Sequence, residues 1–585
     1  MVILMKELLM GNEAIARGAV EAGVRVAAAY PGTPSSEIPM TISKIAKKYN
    51  IYFEWSTNEK VAYEVAFAGA ATGLRSLVTM KHVGLNVAAD AFMASAQVGV
   101  DGGMVVVSAD DPSLHSSQNE QDNRYYAKLA NMPCIEPASP QEAKDFTVKA
   151  FEISEQYNIP VMLRTTTRVN HTRSDVELGE IQPLDRTPVF EKDVRRYVTV
   201  PGNARGLRKK LLEKMASLKI DLDTIEGSGD IGIIASGIAY NYAKEALTLL
   251  DLDAEIYKLA VTHPVSDALI NFLQSHKEVI IVEELEPIME TEIRALAEKK
   301  DIPVKIYGKD IVPRFFELNT HRVANAFRKY KGIPEETVKE LDIPVRPPVL
   351  CPGCPHRASF YAIKKAAPKG IYPSGIGCYT LGFVPPICAV DTCLCMGASI
   401  GFSNGLSKFV DKKIVCTIGD SSFFHTGVPP LLNAVYNKHK FVVVILDNET
   451  TAMTGHQPHP GTGITGMGEQ GVKIYPEKIC EAMGVHTEVV DPHNVEKTVE
   501  VLKEAVNSNE LRVVIARRPC IFITGEEPGK PYHITDACTG CQVCITQLGC
   551  PAIEFKDGKA CINELCTGCG VCAQICPADA IEVVK

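Results

Sequence analysis

No apolar run in these 585 residues approaches the ~18 that a membrane helix needs, which argues against a membrane protein. Basic residues are also in deficit, with 61 Lys and Arg against 70 Asp and Glu, a formal net charge of −9. A nucleic-acid partner would want a basic patch instead. The N-terminal MVILMKELLMGNEAIARG has too short an apolar stretch for a signal peptide, and no small-residue cleavage site. A cytoplasmic chain with reduced thiols is therefore expected. No short-period repeat is visible. A hydrophobic content of 46% with 22% charged residues is ordinary for a soluble globular chain, and the length suggests about four domains of ~150 residues.

Cysteine is what the sequence has in quantity. Nine of its nineteen cysteines lie near the C-terminus, as Cys538-x2-Cys541-x2-Cys544-x5-Cys550-Pro551, then Cys561, then Cys566-x2-Cys569-x2-Cys572-x3-Cys576-Pro577. The second run has the bacterial ferredoxin spacing for a [4Fe–4S] cluster, whose fourth ligand belongs to the other half of the pair. The spacing predicts one cluster on Cys538, Cys541, Cys544 and Cys576, and another on Cys566, Cys569, Cys572 and Cys550. The first run carries two extra residues before Cys550, which implies either a local bulge or a cluster that loses an iron easily. Zinc fits two triplets plus two distant cysteines poorly, and disulfides would need an oxidising compartment.

Residues 1–175 alternate β-branched runs (24–32, 75–84, 103–111, 159–168) with alanine-rich helical stretches, as an α/β domain with a mostly parallel sheet does. Residues 176–228 read as a charged, irregular connector. The pattern restarts over 229–340, breaks at the proline-rich IPVRPPVL, and runs again over 349–525. EEPGKP (526–531) reads as a linker to a ferredoxin-like tail, 528–585.

In the last α/β block, KIVCTIGD ends a strand at Gly419-Asp420, and FVVVILDN ends the next at Asn448. Parallel neighbours joined by a helix bring those ends together, at the edge where open α/β sheets bind ligands. A carboxylate and an amide oxygen there suit Mg²⁺ with phosphate oxygens; the Thr450 carbonyl offers a third ligand, and Gly419 would let the backbone approach the anion. This resembles the thiamine-diphosphate motif, with Ser421 in place of its usual glycine and Asp447-Asn448 in place of Asn-Asn. The plain alternative is a helix-capping Asp420. Thiamine diphosphate also needs a buried carboxylic acid against its aminopyrimidine. In STNEKVAYEVAFAGAATG the candidate is Glu59, with Glu64 as fallback; a glutamate favouring a helix N-terminus is the bland reading.

Together these segments resemble the 2-oxoacid:ferredoxin oxidoreductases, specifically a large subunit acting on aryl 2-oxo acids such as indolepyruvate. YPGTPSSEI (30–38) is similar to the family's substrate-contacting segment, which puts Thr33 near the 2-oxo acid carboxylate. DNETTAMTGHQPHPG (447–461) is similar to the segment beside the diphosphate, and CPGCPHR (351–357) to the family's Cys-Pro-Gly-Cys-Gly-His. The resemblance implies a multidomain α/β chain. Two doubly wound thiamine-diphosphate-type domains, pyrimidine-binding (1–175) and diphosphate-binding (349–525), flank a transketolase-C-terminal-like domain (229–340) and precede the ferredoxin-like tail. It also implies oxidative decarboxylation with coenzyme A as acyl acceptor and ferredoxin as electron acceptor. A smaller partner subunit and a dimer of heterodimers complete the implied assembly. Pyruvate or branched-chain substrates, a non-redox thiamine lyase and a non-catalytic electron-transfer subunit are the competing readings.

Cys351, Cys354, Cys378 and Cys520 leave a third cluster open, against the alternative of buried core cysteines; about twelve irons per chain against about eight would decide. The polar run 108–126 follows a strand end and is a candidate substrate cover, with Arg124 as an anion partner, or else a solvated loop. His82 and His356 are weaker candidates, hydrogen-bonded structural histidines being the default.

Overall fold

The computed structural model describes residues 5–181, 184–339, 341–525 and 529–584. Residues 526–528 of the expected linker lie outside the described residues. The chain divides into two compact units, Met1–Leu341 and Asp342–Lys585.

The first unit is built on a seven-stranded sheet in the order Val261–His263, Cys134–Ile135, Val161–Thr166, Met104–Asp110, Ser76–Lys81, Val26–Ala29, Tyr52–Trp55. Only the pairing of Val261–His263 with Cys134–Ile135 is antiparallel. The strands Ser76–Lys81, Met104–Asp110 and Val161–Thr166 are buried at every position. That is why they read as continuous apolar runs: helices cover both faces of a parallel sheet. The helix Glu59–Ala71 begins where the Asn58 side chain accepts the Val61 N–H. Its alanine and glycine content serves close packing, since a Cβ on Gly69 would meet the Val26 side chain at 2.8 Å.

A five-stranded sheet follows in the order Lys305–Tyr307, Glu278–Val282, Ile231–Ala235, Glu255–Lys258, Thr224–Gly227, with only the last pairing antiparallel. Residues 176–228 are more ordered than a connector. They hold the helix Pro201–Ser217 and the edge strand Thr224–Gly227. Pro201 opens that helix with its pre-set φ, and Leu207 and Leu211, one turn apart, are its only buried residues. So narrow an apolar stripe is hidden in sequence by the charges around it.

The second unit carries a six-stranded, wholly parallel sheet, in the order Thr392–Cys393, Pro373–Ser374, Val415–Gly419, Val442–Asp447, Arg512–Arg517, His486–Val490. Behind it the tail folds as two matching halves. Ile553–Lys556 pairs with Lys559–Ile562, and Tyr532–Ile534 with Ile581–Val583. Each half has a one-turn helix, Val543–Thr546 and Val571–Gln574, entered through a left-handed residue, Gln542 (φ 59°) and Gly570 (φ 73°). Among the described residues no helix is long and apolar enough to cross a membrane.

Candidate active site

Asp420 and Asn448 end adjacent parallel strands of the second unit, and both are buried. One terminal atom of the Asn448 amide lies 2.9 Å from the Thr450 carbonyl oxygen and 3.3 Å from Asp420 Oδ1. With the NH₂ inward, the amide donates to both. With its oxygen inward, three oxygens converge at spacings near the ~2.9 Å edge of an octahedron around Mg²⁺ with ~2.05 Å bonds. A cation between them would then cancel their repulsion. Asp420 Oδ2 sits 3.2 Å from His459 Nε2 without a well-aligned hydrogen bond, and among the described residues this buried carboxylate oxygen has no hydrogen-bond partner. The donor set therefore fits a magnesium diphosphate.

Burial would raise the Asp420 carboxyl, but the His459 ring and the Ser421 N–H (2.8 Å) outweigh it and hold it below its ordinary value. Burial and the charge of Asp420 push Asp447 up to about 6, although Arg517 Nε donates to it at 2.7 Å. Ser421 accepts a hydrogen bond from Thr451 Oγ1 at 3.0 Å. Gly419 has a φ of −74°, which suits any residue, and a Cβ there would meet Tyr379 Cε1 at 2.8 Å, so the glycine makes room for that ring. His356 stands edge-on to that ring; burial pushes it down to about 4, opposed by Asp420, so a neutral imidazole borders the site.

Four of the ten cysteines outside the tail, Cys351, Cys354, Cys378 and Cys520, act on one another, and two of them feel Asp420. Burial pushes the Cys378 thiol up to about 11, reinforced by Cys520 and Cys351. Burial pushes Cys354 to about 12, and Cys351 and Cys378 both act on it. Cys520 is raised by burial, then by Cys351 and Asp420, and its N–H donates to the Asn448 carbonyl at 3.0 Å.

In the tail, one cavity is lined by Cys550, Cys566, Cys569 and Cys572, with Cys354 at its wall, and another by Cys538, Cys541, Cys544 and Cys576. The structure thus brings together the two quartets that the spacing predicts. All nineteen cysteines are free thiols. Among the described residues no three His, Cys, Asp or Glu side chains converge on one metal ion. Cavities of this kind suit a cluster rather than a zinc ion held at ~2.3 Å. The two extra residues of the first run are Leu548 and Gly549, whose carbonyls accept hydrogen bonds from Arg357 of CPGCPHR.

In the first unit, Glu59 opens its helix with 6% exposure and lies against Gly84. Glu64 is half exposed and paired with Lys60 one turn away, which removes the fallback. Thr33 is half-buried at the same strand-end edge, and its carbonyl accepts Ser116 Oγ at 3.2 Å. His82 Nε2 lies 3.0 Å from Asn119 Oδ1, while among the described residues its buried Nδ1 has no partner. The run 108–126 is therefore folded back over Thr33 and His82 rather than loose in solvent.

Arg124 is not available to an anion. It is 1% exposed: Nε donates to Asp122 at 2.9 Å, Nη1 to Glu283 at 2.8 Å, and Nη2 to the Glu284 and Glu286 carbonyls. It joins a buried ion network with Arg164, Asp110 and Glu136. The cation that does reach this edge is Lys81, which the sequence reading missed. Its Nζ donates to the Ser116 carbonyl at 2.6 Å, and burial, opposed by Asp111, pulls it down to about 8. Its place as the last residue of a buried strand, just before His82, was the signal available.

Residues 17–209 match the family described as pyruvate flavodoxin/ferredoxin oxidoreductase, thiamine diP-bdg. Residues 375–516 match the thiamine pyrophosphate enzyme, C-terminal TPP binding domain, and residues 562–582 a 4Fe-4S binding domain. The indolepyruvate oxidoreductase subunit IorA of Methanothermobacter marburgensis is 48% identical, over 98% of this chain and 97% of its own. That of Thermococcus kodakarensis is 47% identical, over 99% and 97%. A 2-oxoglutarate synthase subunit KorA of Archaeoglobus fulgidus is 25% identical, over 48% of this chain and 88% of its own. With a thiamine-diphosphate fold, a ferredoxin-like tail and near-complete alignment to these relatives, the chain belongs to the 2-oxoacid:ferredoxin oxidoreductases, in the family of indolepyruvate oxidoreductase IorA subunits.

Proposed function

We propose that this chain catalyses oxidative decarboxylation of aryl 2-oxo acids, indolepyruvate among them, giving carbon dioxide and an acyl-CoA and passing electrons to ferredoxin. The observation that carries this reading is the convergence of Asp420 Oδ1, the Asn448 amide and the Thr450 carbonyl. These three would hold Mg²⁺, with diphosphate oxygens completing its shell. Bound thiamine diphosphate supplies the electron sink of the reaction. Glu59 would hydrogen-bond its aminopyrimidine and hold a proton there, kept in place by Gly84.

Thr33 and Lys81 would orient the substrate. Lys81 has three N–H donors, and its partner among the described residues is the Ser116 carbonyl, which leaves donors for a carboxylate. The run 108–126 would exclude water above them. Two [4Fe–4S] clusters on the tail quartets would carry single electrons outward, at the low potentials such centres reach. A third on Cys351, Cys354, Cys378 and Cys520 would receive them beside the metal site. The aryl preference rests on the names of relatives 46–48% identical to this chain. A smaller subunit, assembly as a dimer of heterodimers, coenzyme A and a cytoplasmic location complete the reading.

The test is an anaerobic assay of the purified complex with a panel of 2-oxo acids, following ferredoxin or dye reduction with and without coenzyme A. The highest kcat/KM is expected with aryl substrates. Preference for pyruvate would overturn the substrate, and coenzyme A-independent aldehyde release the reaction type. Full activity of the complex with Glu59→Gln would reduce this chain to an electron carrier.

A further inference from the structure

Arg357 is only 5% exposed, yet it belongs to neither the metal site nor a cysteine quartet. Its Nη1 donates to the Leu548 carbonyl at 3.1 Å and to that of Gly549, its Nη2 to that of Leu350, and its Nε reaches the Cys351 carbonyl at 3.5 Å. Every acceptor is a neutral carbonyl, and among the described residues no carboxylate pairs with this guanidinium. A buried charge without a counter-charge is costly. The nearest potential counter-charges are cysteine sulfurs, Cys550 first, then Cys354, Cys351 and Cys569, which carry charge only as thiolates.

The surroundings are built to hold it there. Arg357 lines the same cavity as Cys550, Cys566, Cys569 and Cys572. Two of the carbonyls it grips belong to the two residues by which the first cysteine run departs from regular spacing. Gly549 can be nothing larger, since its φ is 64° and a Cβ would lie 2.7 Å from the Pro386 ring. Among the described residues, no charged side chain lines the twin cavity on Cys538, Cys541, Cys544 and Cys576.

We propose that Arg357 sets the reduction potential of the cluster held by Cys550, Cys566, Cys569 and Cys572, raising it relative to its twin; this rests on the reading that both quartets hold clusters. The thiolate-ligated cluster gains one electron, and with it one more negative charge, with no bond made or broken. A guanidinium at fixed distance stabilises the reduced form more than the oxidised one. Net charge and hydrogen bonding around the sulfurs are established levers on such potentials. The cluster beside the Cys351–Cys354 loop would thus be the better acceptor of the two.

The experiment is an EPR-monitored redox titration of anaerobically purified holoenzyme, with Cys541→Ser used to assign the twin's signal. Arg357→Met should lower the midpoint of the Cys550 cluster by about 59 mV or more, a tenfold change in the one-electron equilibrium constant. The twin should not move, and Arg357→Lys should restore most of the shift. If Arg357→Met loses iron, Arg357→Gln, which keeps an amide donor for the Gly549 carbonyl, carries the same expectation. Unmoved midpoints, or equal shifts in both clusters, overturn the role of Arg357. Wild-type enzyme with far fewer than about eight irons per chain would defeat the cluster reading itself.

Discussion

Gly84 lies so close to Glu59 that a Cβ added to it would sit 2.7 Å from the Glu59 carboxylate oxygen Oε1. The helix His82–Val98 thus fixes the carboxyl of the neighbouring helix by leaving a methyl out. Glu59→Gln should lower turnover by roughly 10²–10⁴, the range for losing a positioned acid or base. Gly84→Ala should cost about tenfold or more by displacing the carboxyl, with iron content unchanged. Steady-state rates on iron-replete protein check both; wild-type turnover in Glu59→Gln would remove that residue from the chemistry.

Thiamine diphosphate should stabilise the protein only when Mg²⁺ is present. At a hundredfold excess over its Kd, a ligand that binds only the folded state adds about 2.7 kcal/mol. Thermal melts of protein stripped with EDTA should show that gain on adding cofactor and metal together, and not on adding cofactor alone. Asp420→Ala should abolish it, since two of the three converging oxygens cannot complete the site. Equal stabilisation without metal would contradict the assignment.

Lys81, pulled down to about 8 by burial against the opposing charge of Asp111, gives the substrate site a basic limb. Only the protonated ammonium attracts a carboxylate. KM for the 2-oxo acid should therefore rise as pH climbs through about 8, with kcat less affected. Lys81→Met should raise KM about ten- to a hundredfold at neutral pH, the loss of a hydrogen bond to a charged group worth ~1.5–3 kcal/mol. In Lys81→Arg the limb should move beyond the accessible range. A flat pH profile in the wild type would separate Lys81 from substrate binding.

Arg124 should behave as a structural residue. Arg124→Ala leaves the buried Asp122 and Glu283 without their shared cation, a loss of about 3–5 kcal/mol. Chemical denaturation should show it as an earlier transition. KM for the 2-oxo acid should stay unchanged where the variant is folded; a large KM effect would restore Arg124 to the site.

The tail was legible because ligand spacing is a local property: three cysteines two residues apart must face one cavity, whatever surrounds them. Asp420 and Asn448 were legible for a related reason, since buried strands announce their own ends. Arg124 and Lys81 were not. Both stand near strand ends; Arg124 is consumed by Asp122 beside it and by Glu283, 159 residues away, while Lys81 keeps only the field of Asp111. The helix Pro201–Ser217 was hidden because two leucines hold it. The packing of Tyr379 against Gly419 was not legible either, because the two lie forty residues apart.

The third cluster is the sharpest remaining question of composition. Cys351, Cys354, Cys378 and Cys520 act on one another electrostatically, and Asp420 acts on two of them. Four core cysteines would have no reason to gather beside a metal site from three separate segments. Burial pushes the thiols up, to about 12 at Cys354, so as free thiols they would be protonated; a bound cluster would hold them as thiolates. Anaerobically purified protein should therefore contain about twelve irons per chain rather than about eight. Cys378→Ser should remove close to four of them, and slow the first electron out of the substrate while leaving the tail clusters intact. An iron content of about eight, unchanged by Cys378→Ser, would return these cysteines to the core.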